Sequence, residues 1–393
     1  MTIRYLHVIH SLDPRGGGPA EGVKQLTAVA VGLRHQVEVA VLEKPEQRWV
    51  DEFQCPVHYL GPTLLKYGYA PRLASWLRAN MHRFAAVIVN GLWQYHGLCT
   101  WRVLRGSPVP YYVYTHGMLD PWFKHRYPLK HLKKLLYWPW AEYRVLRDAR
   151  AVLFTCEQER LAARLSFGMY RANERVVSFG VPEPQGDPEA QREAFLRRFP
   201  HLAGKRLLLF LGRIHPKKGC DLLIEAFAAV AARDPHLHLV VAGPDQVGLQ
   251  DQLMSLSRRL GVGDAVTWTG MISGDTKLGA LRAAEAFVLP SHQENFGMAV
   301  AEALACGTPA LISNKVNIWR EIIADQAGLA AEDTLQGTVA LLRDWIALSA
   351  SQRCAMAVNA YACFDKHFRV EAAAESIRAT IERHAAPRAE AAA

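Results

Sequence analysis

RLLLFLGRIHPKKGCDLLIEAFAAVAARDPHLHLVVAGP, residues 206–244, displays the building plan of this chain. RLLLFLGR (206–213) is a continuous apolar run of strand length, as expected of a strand covered on both faces. DLLIEAFAAVAARDP (221–235) then has helical character, and HLHLVVAGP (236–244) returns to a strand. Strand, helix and strand in succession make one unit of an open parallel sheet. Between the first strand and the helix stand Arg213, Lys217, Lys218 and Gly219, at the strand end where such sheets bind ligands.

The same alternation extends both ways. Toward the C-terminus, AVTWTG (265–270), AFVLPS (286–291) and TPALIS (308–313) alternate with helical stretches near 249–260, 275–284 and 298–306. Toward the N-terminus, IRYLHVIH (3–10), HQVEVAVLE (35–43), AAVIVNG (85–91), PYYVYTHG (110–117) and ARAVLFTC (149–156) have strand character, and a helix is expected to start near Ala20. VPEPQGDPEAQ (181–191) is rich in proline and acid, which suits a connection between domains. The pattern predicts an α/β protein of two doubly wound, Rossmann-like domains, 1–182 and 183–365, followed by a last helical segment near 366–385. With two such domains, ligand is expected in the cleft that they face.

Composition narrows the partners. Half of the 393 residues are apolar, enough for sizeable cores and against global disorder. A formal charge of +9 points toward a phosphate-bearing ligand, an anionic membrane surface or nucleic acid. No helix-turn-helix, RNP or zinc pattern supports nucleic acid. Seven cysteines without a CxxC suit a reducing compartment. MTIRYLHVIHSL is broken by Arg4, His7 and His10 and reads as a first strand rather than a signal peptide. No run reaches the roughly 18–20 apolar residues of a membrane span, so the expectation is a cytoplasmic protein, at most peripheral on the inner face of the plasma membrane.

Five stretches carry candidate chemistry. DPRGGGPAEG (13–22) sits between a strand and a helix, where three glycines permit either a tight turn or close backbone approach to a phosphate. In LGRIHPKKGCD (211–221) the cations either line a solvated loop or neutralise a diphosphate. SHQENFGMAVAEALACGTPALIS (291–313) divides into a strand end, a turn and a helix of small residues that Gly307 and Pro309 end. Glu294 therefore belongs to the turn, as a cap-like residue or a ligand contact, and Glu302 to a largely buried helix. There Glu302 needs donors from a sugar diol or from a nearby Arg or Lys. His116, in YVYTHGMLDPW (112–122), stands at a strand end, structural or turned toward ligand. In KHRYPLKHLKKLLYWPWAEYRVLRDAR (124–150), Lys130, Lys133, Lys134, Arg144 and Arg147 interleave with Leu135, Leu136, Tyr137, Trp138, Trp140 and Tyr143. This composition suits an anionic membrane surface through residues 124–147, or ordinary packing.

Taken together, these motifs resemble the retaining, nucleotide-sugar-dependent glycosyltransferases of family 4 (glycosyl transferases group 1), of the bacterial surface-polysaccharide type with the GT-B fold. The likeness rests on E-N-F-G-M-A-V-A-E (294–302), on Gly212, Arg213, Lys218 and Gly219 as GR-x4-KG, and on Gly16, Gly17 and Gly18. It implies that Glu302 binds the ribose, that Arg213 and Lys218 bind the diphosphate, and that Glu294 touches the sugar hydroxyls. It further implies that the backbone around Asn295, Phe296 and Gly297 contacts sugar and phosphate, that Gly17 and Gly18 approach the diphosphate, and that His116 helps position the sugar and the reacting groups. The last helix would cross back to the N-terminal domain. Catalysis would need no metal or other cofactor, in keeping with the absence of an Asp-x-Asp triplet. The chain departs from the family at Gly117–Met118, where some relatives have a histidine–aspartate pair, and at SFGVPEP (178–184). The expected activity is transfer of a hexose from a GDP- or UDP-sugar to a lipid-linked or surface-polysaccharide acceptor. The alternatives are a soluble transferase acting on a small molecule and an inactive nucleotide-sugar-binding regulator.

Overall fold

Apolar runs buried on both faces have to pair with one another, and in each half of the chain they do so in parallel. The structure, a computed structural model, describes residues 3–13, 18–44 and 53–385. Its contacts divide the chain into two units, Glu183–Arg369 and the remainder.

The first unit contains β1 (Arg4–Ile9), β2 (Gln36–Val41), β3 (Val57–Tyr59), β4 (Ala86–Asn90), β5 (Tyr111–Tyr114), β6 (Ala151–Phe154) and β7 (Glu174–Val176). They form one parallel sheet in the order β3-β2-β1-β4-β5-β6-β7. Register aligns Ile9 with Asn90 and Asn90 with Tyr114, so β1, β4 and β5 end side by side. The second unit contains β8 (Arg206–Leu211), β9 (Leu237–Ala242), β10 (Val266–Gly270), β11 (Ala284–Leu289), β12 (Ala310–Ser313) and β13 (Gly328–Ala331). Its parallel order is β10-β9-β8-β11-β12-β13. In both sheets the order reverses beside the first strand, between β1 and β4 and between β8 and β11. Helices diverge at such a point and leave a crevice beyond the carboxyl ends.

The central strands are fully buried, as Tyr112, Val113 and Tyr114 of β5 and Phe287 and Val288 of β11 illustrate. Each such side chain contributes roughly 1.5–3 kcal/mol over its exposed state. Strands β3, β7 and β13 are not foreseen from the sequence. All three are edge strands of three or four residues, and β7 is Glu-Arg-Val, too short and too polar to show a period. The last helix also starts later than expected, at Val370 rather than 366, because the helix Ala350–His367 ends first. Phe368 leaves helical geometry and sets its ring edge-on to Phe296, 5.7 Å away, while Arg369 reaches Glu183 Oε2 at 2.7 Å. The helix Val370–Ala385 belongs to the first unit and packs on the helix Gly18–Gly32. All seven cysteines are free, and among the described residues no helix is long and apolar enough to cross a membrane.

Candidate functional site

In the second unit, the loops beyond β8 and β11 hold the charged residues of the two principal motifs. Gly219 makes their approach possible. It is left-handed (φ 65°), and a Cβ there would lie 2.2 Å from the Pro290 carbonyl oxygen, so only glycine lets the lysine loop lie against the end of β11. The Lys217 carbonyl then accepts from His292 N (2.8 Å) and Ser291 Oγ (2.9 Å), tying the two loops together. Within this frame Lys218 Nζ donates to Glu294 Oε2. The Glu294 backbone is itself held, its N–H by the Lys315 carbonyl (2.9 Å) and its carbonyl by Asn317 N (3.0 Å). Burial pushes the Glu294 carboxyl up, but Lys218, with Lys217 and Arg213, outweighs it and holds the group below the ordinary carboxylate range. Arg213 Nη1 donates to Gln246 Oε1 at 3.1 Å. His215 accepts from Lys217 N at 3.0 Å, and burial together with Arg213, Lys217 and Lys218 lowers its pKa.

Glu302 lies one turn and more inside the helix Met298–Ala305, which the left-handed Gly297 (φ 76°) opens. Lys277, on the helix Gly274–Ala283, donates to Glu302 Oε1 at 2.9 Å. Of the donors the sequence left open, each glutamate therefore has a lysine, and the two acids do not pair with each other. Lys277 escaped notice because it is 25 residues away on another helix and carries no local signal. Asn295 Oδ1 accepts from Asn317 Nδ2 at 3.4 Å, and the Phe296 ring turns into the core of this unit.

In the first unit the convergence is around Asn90, the last residue of β4. His7 Nδ1 lies 3.1 Å from Asn90 Nδ2, His96 Nε2 donates to the Asn90 carbonyl at 2.9 Å, and His116 Nε2 lies 3.2 Å from Asn90 Oδ1. His116 has a left-handed backbone (φ 49°), and Glu159 clamps the turn around it. The buried Glu159 carboxylate accepts from Thr115 Oγ1 (2.5 Å), Gly117 N (2.6 Å), Thr155 N (2.7 Å) and Thr155 Oγ1 (2.8 Å). Sequence reasoning passed over both Asn90 and Glu159. Gly16 and Gly17 lie outside the described residues. Gly18 opens its helix, and among the described residues a Cβ there would meet nothing beyond its own helix within 4 Å. Among the described residues no group of three His, Cys, Asp or Glu side chains is arranged to hold a metal.

Burial holds His7 and His96 at about 4, so both are neutral when folded and take up protons near 6.5 when unfolded. For a depressed pKa the stabilisation is present above 6.5 and is lost as pH falls toward 4. Each imidazole therefore costs about 2 kcal/mol of stability by pH 5. Glu142, pushed by burial up to about 7, works in the opposite sense over the same window. His96→Gln keeps an N–H for the Asn90 carbonyl, and it should flatten the fall in stability between pH 6.5 and 5 by about 2 kcal/mol, read by urea unfolding at each pH. An unchanged slope would mean that His96 is protonated in the native state.

The basic aromatic stretch divides between inside and outside. The helix Pro128–Tyr137, a 3-10 turn Trp138–Trp140 and the helix Glu142–Asp148 follow one another. Trp138 is buried and stacks on Phe167 at 4.5 Å, and Lys134 Nζ turns inward over the Trp93 ring at 4.4 Å. Glu142 Oε1 accepts from Trp93 N at 2.6 Å. Trp138 and Lys134 therefore do not belong to an interfacial surface. Leu129, Leu132, Leu136 and Trp140 do face outward, on one stripe.

Residues 17–180 match the profile of the Glycosyl transferase 4-like domain, and residues 191–362 match that of Glycosyl transferases group 1. A D-inositol 3-phosphate glycosyltransferase of Actinosynnema mirum is 36% identical over 241 residues, 56% of each chain. The chain spans about half the length, or less, of the curated relatives it matches. A sucrose-phosphate synthase from Thermosynechococcus elongatus has a similar structure, with a TM-score of 0.77 at 18% identity over 97% of this chain and 99% of that one. Anabaena HepE, in complex with UDP and glucose, gives 0.76 at 18% identity over the same shares. The last two likenesses concern the fold, two parallel-sheet Rossmann-like domains of the GT-B type. Residues 17–180 therefore belong to the Glycosyl transferase 4-like family and residues 191–362 to Glycosyl transferases group 1, so that each half of this GT-B fold is a glycosyltransferase domain.

Proposed function

We propose that this protein transfers a hexose from a nucleotide-sugar to a small-molecule acceptor, with retention at the anomeric carbon. The observation that carries the reading is the cluster of Arg213, Lys218 and Glu294 at the β8–β11 strand reversal, cations and an acid held together by glycine-dependent loop packing. Arg213 and Lys218 would stabilise the charge that grows on the diphosphate as its bond to the sugar breaks. Glu294, already drawn to Lys218, would position sugar hydroxyls rather than attack. Glu302 with Lys277 would hold the ribose, and the backbone of Asn295, Phe296 and Gly297 the sugar and phosphate. The acceptor oxygen would attack the same face that the phosphate leaves, and its proton would pass to the departing phosphate oxygen.

The small acceptor is favoured by the Actinosynnema relative, a D-inositol 3-phosphate glycosyltransferase, and a nucleotide donor by the UDP bound in Anabaena HepE. Incubating the protein with UDP- and GDP-hexoses and a panel of polyols and sugar phosphates, followed by product mass analysis, tests it. A glycoside at the expected mass supports the reading, and nucleotide binding without turnover on any donor supports a binding protein instead. Gly18 would come close to the diphosphate, where an added methyl meets the ligand and no described residue outside its own helix. Gly18→Ala should leave Tm unchanged and raise the donor KM on the order of tenfold, a methyl's worth of steric conflict.

A second reading, a lipid-linked or surface-polysaccharide acceptor met at an anionic membrane, is favoured by the outward stripe, with Leu129 79% and Leu136 71% exposed beside Lys130 and Lys133. Sedimentation with anionic vesicles at physiological salt tests it, and a protein that stays in the supernatant rules it out.

A further inference from the structure

One amide orients the histidine ring at the end of β5. Asn90 Nδ2 lies 3.2 Å from the Ile88 carbonyl oxygen and 3.4 Å from that of Val8. Carbonyl oxygens only accept, so these contacts turn Nδ2 toward them and Oδ1 toward His116. Oδ1 also only accepts, so the 3.2 Å contact requires the hydrogen to sit on His116 Nε2. The ring is packed between Tyr114 (5.4 Å between centroids, 19° between planes) and Phe179 (5.2 Å). A Cβ at Gly22 would come within 2.8 Å of Phe179, so the helix Gly18–Gly32 leaves this ring its place.

The titratable groups around His116 are His7 of β1, His96 of the helix Tyr95–Leu104, Tyr114 of β5, and Glu159 of the helix Glu157–Ala163. Glu159 spends its oxygens on Thr115, Gly117 and Thr155. Burial, then His7 and His96, brings His116 down to about 3. The ring is neutral at working pH, with a lone pair on Nδ1.

We propose that Asn90 is a positioning residue that fixes His116 as the neutral Nε2–H tautomer, so that its Nδ1 accepts a hydrogen bond from a hydroxyl of the transferred sugar. This rests on the transferase reading above and on the role that the family resemblance gives His116, positioning the sugar and the reacting groups. Neutrality matters to the chemistry. An imidazolium beside an anomeric carbon that is gaining positive charge would oppose transfer, whereas a lone pair does not.

Imidazole 15N–1H correlation spectra of the wild-type protein test the tautomer directly, with His116→Gln identifying the signal. The expected result is the Nε2–H pattern, unchanged from about pH 5 to about pH 8. An Nδ1–H pattern, or protonation above pH 5, overturns the proposal. Asn90→Asp supplies a carboxylate that favours the imidazolium, so transfer should acquire an acid limb, falling about tenfold per pH unit below a new pKa, with donor KM unchanged. Asn90→Leu should lower kcat about 10–100-fold without any such limb. A wild-type pH profile in Asn90→Asp overturns the role of Asn90. If the variants do not fold, the wild-type spectrum still decides. The spectrum needs no donor, so the two readings fail separately. The expected tautomer without turnover on any donor overturns the transferase reading and the role given to Nδ1. Turnover with the wrong tautomer overturns the roles given to Asn90 and to Nδ1 and leaves the transferase reading standing.

Discussion

Lys218→Ala is expected to lower kcat for hexose transfer about 10²–10³-fold, the usual loss when one preorganised donor to a developing charge is removed. The substitution acts twice. It removes a cation from the proposed diphosphate contact, and it leaves Glu294 with burial still pushing its carboxyl up and only Lys217 and Arg213 opposing. Both side chains are largely covered (15% and 18% exposed), so a stability loss of about 1–2 kcal/mol should accompany the kinetic one. Lys218→Arg should recover stability better than turnover, because a planar fork does not place its charge where an ammonium does. Steady-state kinetics and thermal unfolding on the same preparations separate the two effects. A kcat within threefold of wild type would remove Lys218 from the proposed machinery.

Glu159→Ala should cost about 3–5 kcal/mol, the largest stability effect expected of a single polar residue in the first unit. Its carboxylate satisfies two N–H groups and two hydroxyls at the carboxyl ends of β5 and β6, and alanine leaves those donors buried without an acceptor. Glu159→Gln retains the shape but turns an amide N–H₂ against donors, so an intermediate loss of about 2 kcal/mol is expected. Urea unfolding measures both. A loss below about 1 kcal/mol for the alanine variant would mean that other contacts hold the His116 turn. Transfer should fall by more than the folded fraction accounts for, because the same carboxylate fixes the left-handed backbone of His116.

The central architecture was legible because it rests on local information. A fully buried parallel strand must be apolar along its whole length, so β1, β2, β4, β5, β6, β8, β9, β11 and β12 announced themselves as runs, and glycines and prolines marked their ends. The half-buried edge strand β10 was marked by its β-branched and aromatic Val-Thr-Trp-Thr before Gly270. Strands β3, β7 and β13 pair on one side only and need no such run. The placing of Glu294 in a turn and Glu302 on a helix was equally local, since Gly297 and Gly307 bracket that helix.

What the sequence alone determined was therefore the α/β class, the two-fold repetition of the plan, and the loops where chemistry is concentrated. Only the tertiary structure decided which side chains meet. Lys218 reaches Glu294 across 76 residues, and Asn90 meets His7 across 83. The sheet register sets those meetings by bringing the strand ends level, and no periodicity within one element encodes it. The same holds for Lys134 and Trp138, basic and aromatic members of one promising surface stretch that turned inward. A helix's composition states what its faces carry, but the partners packed against it determine which face is covered.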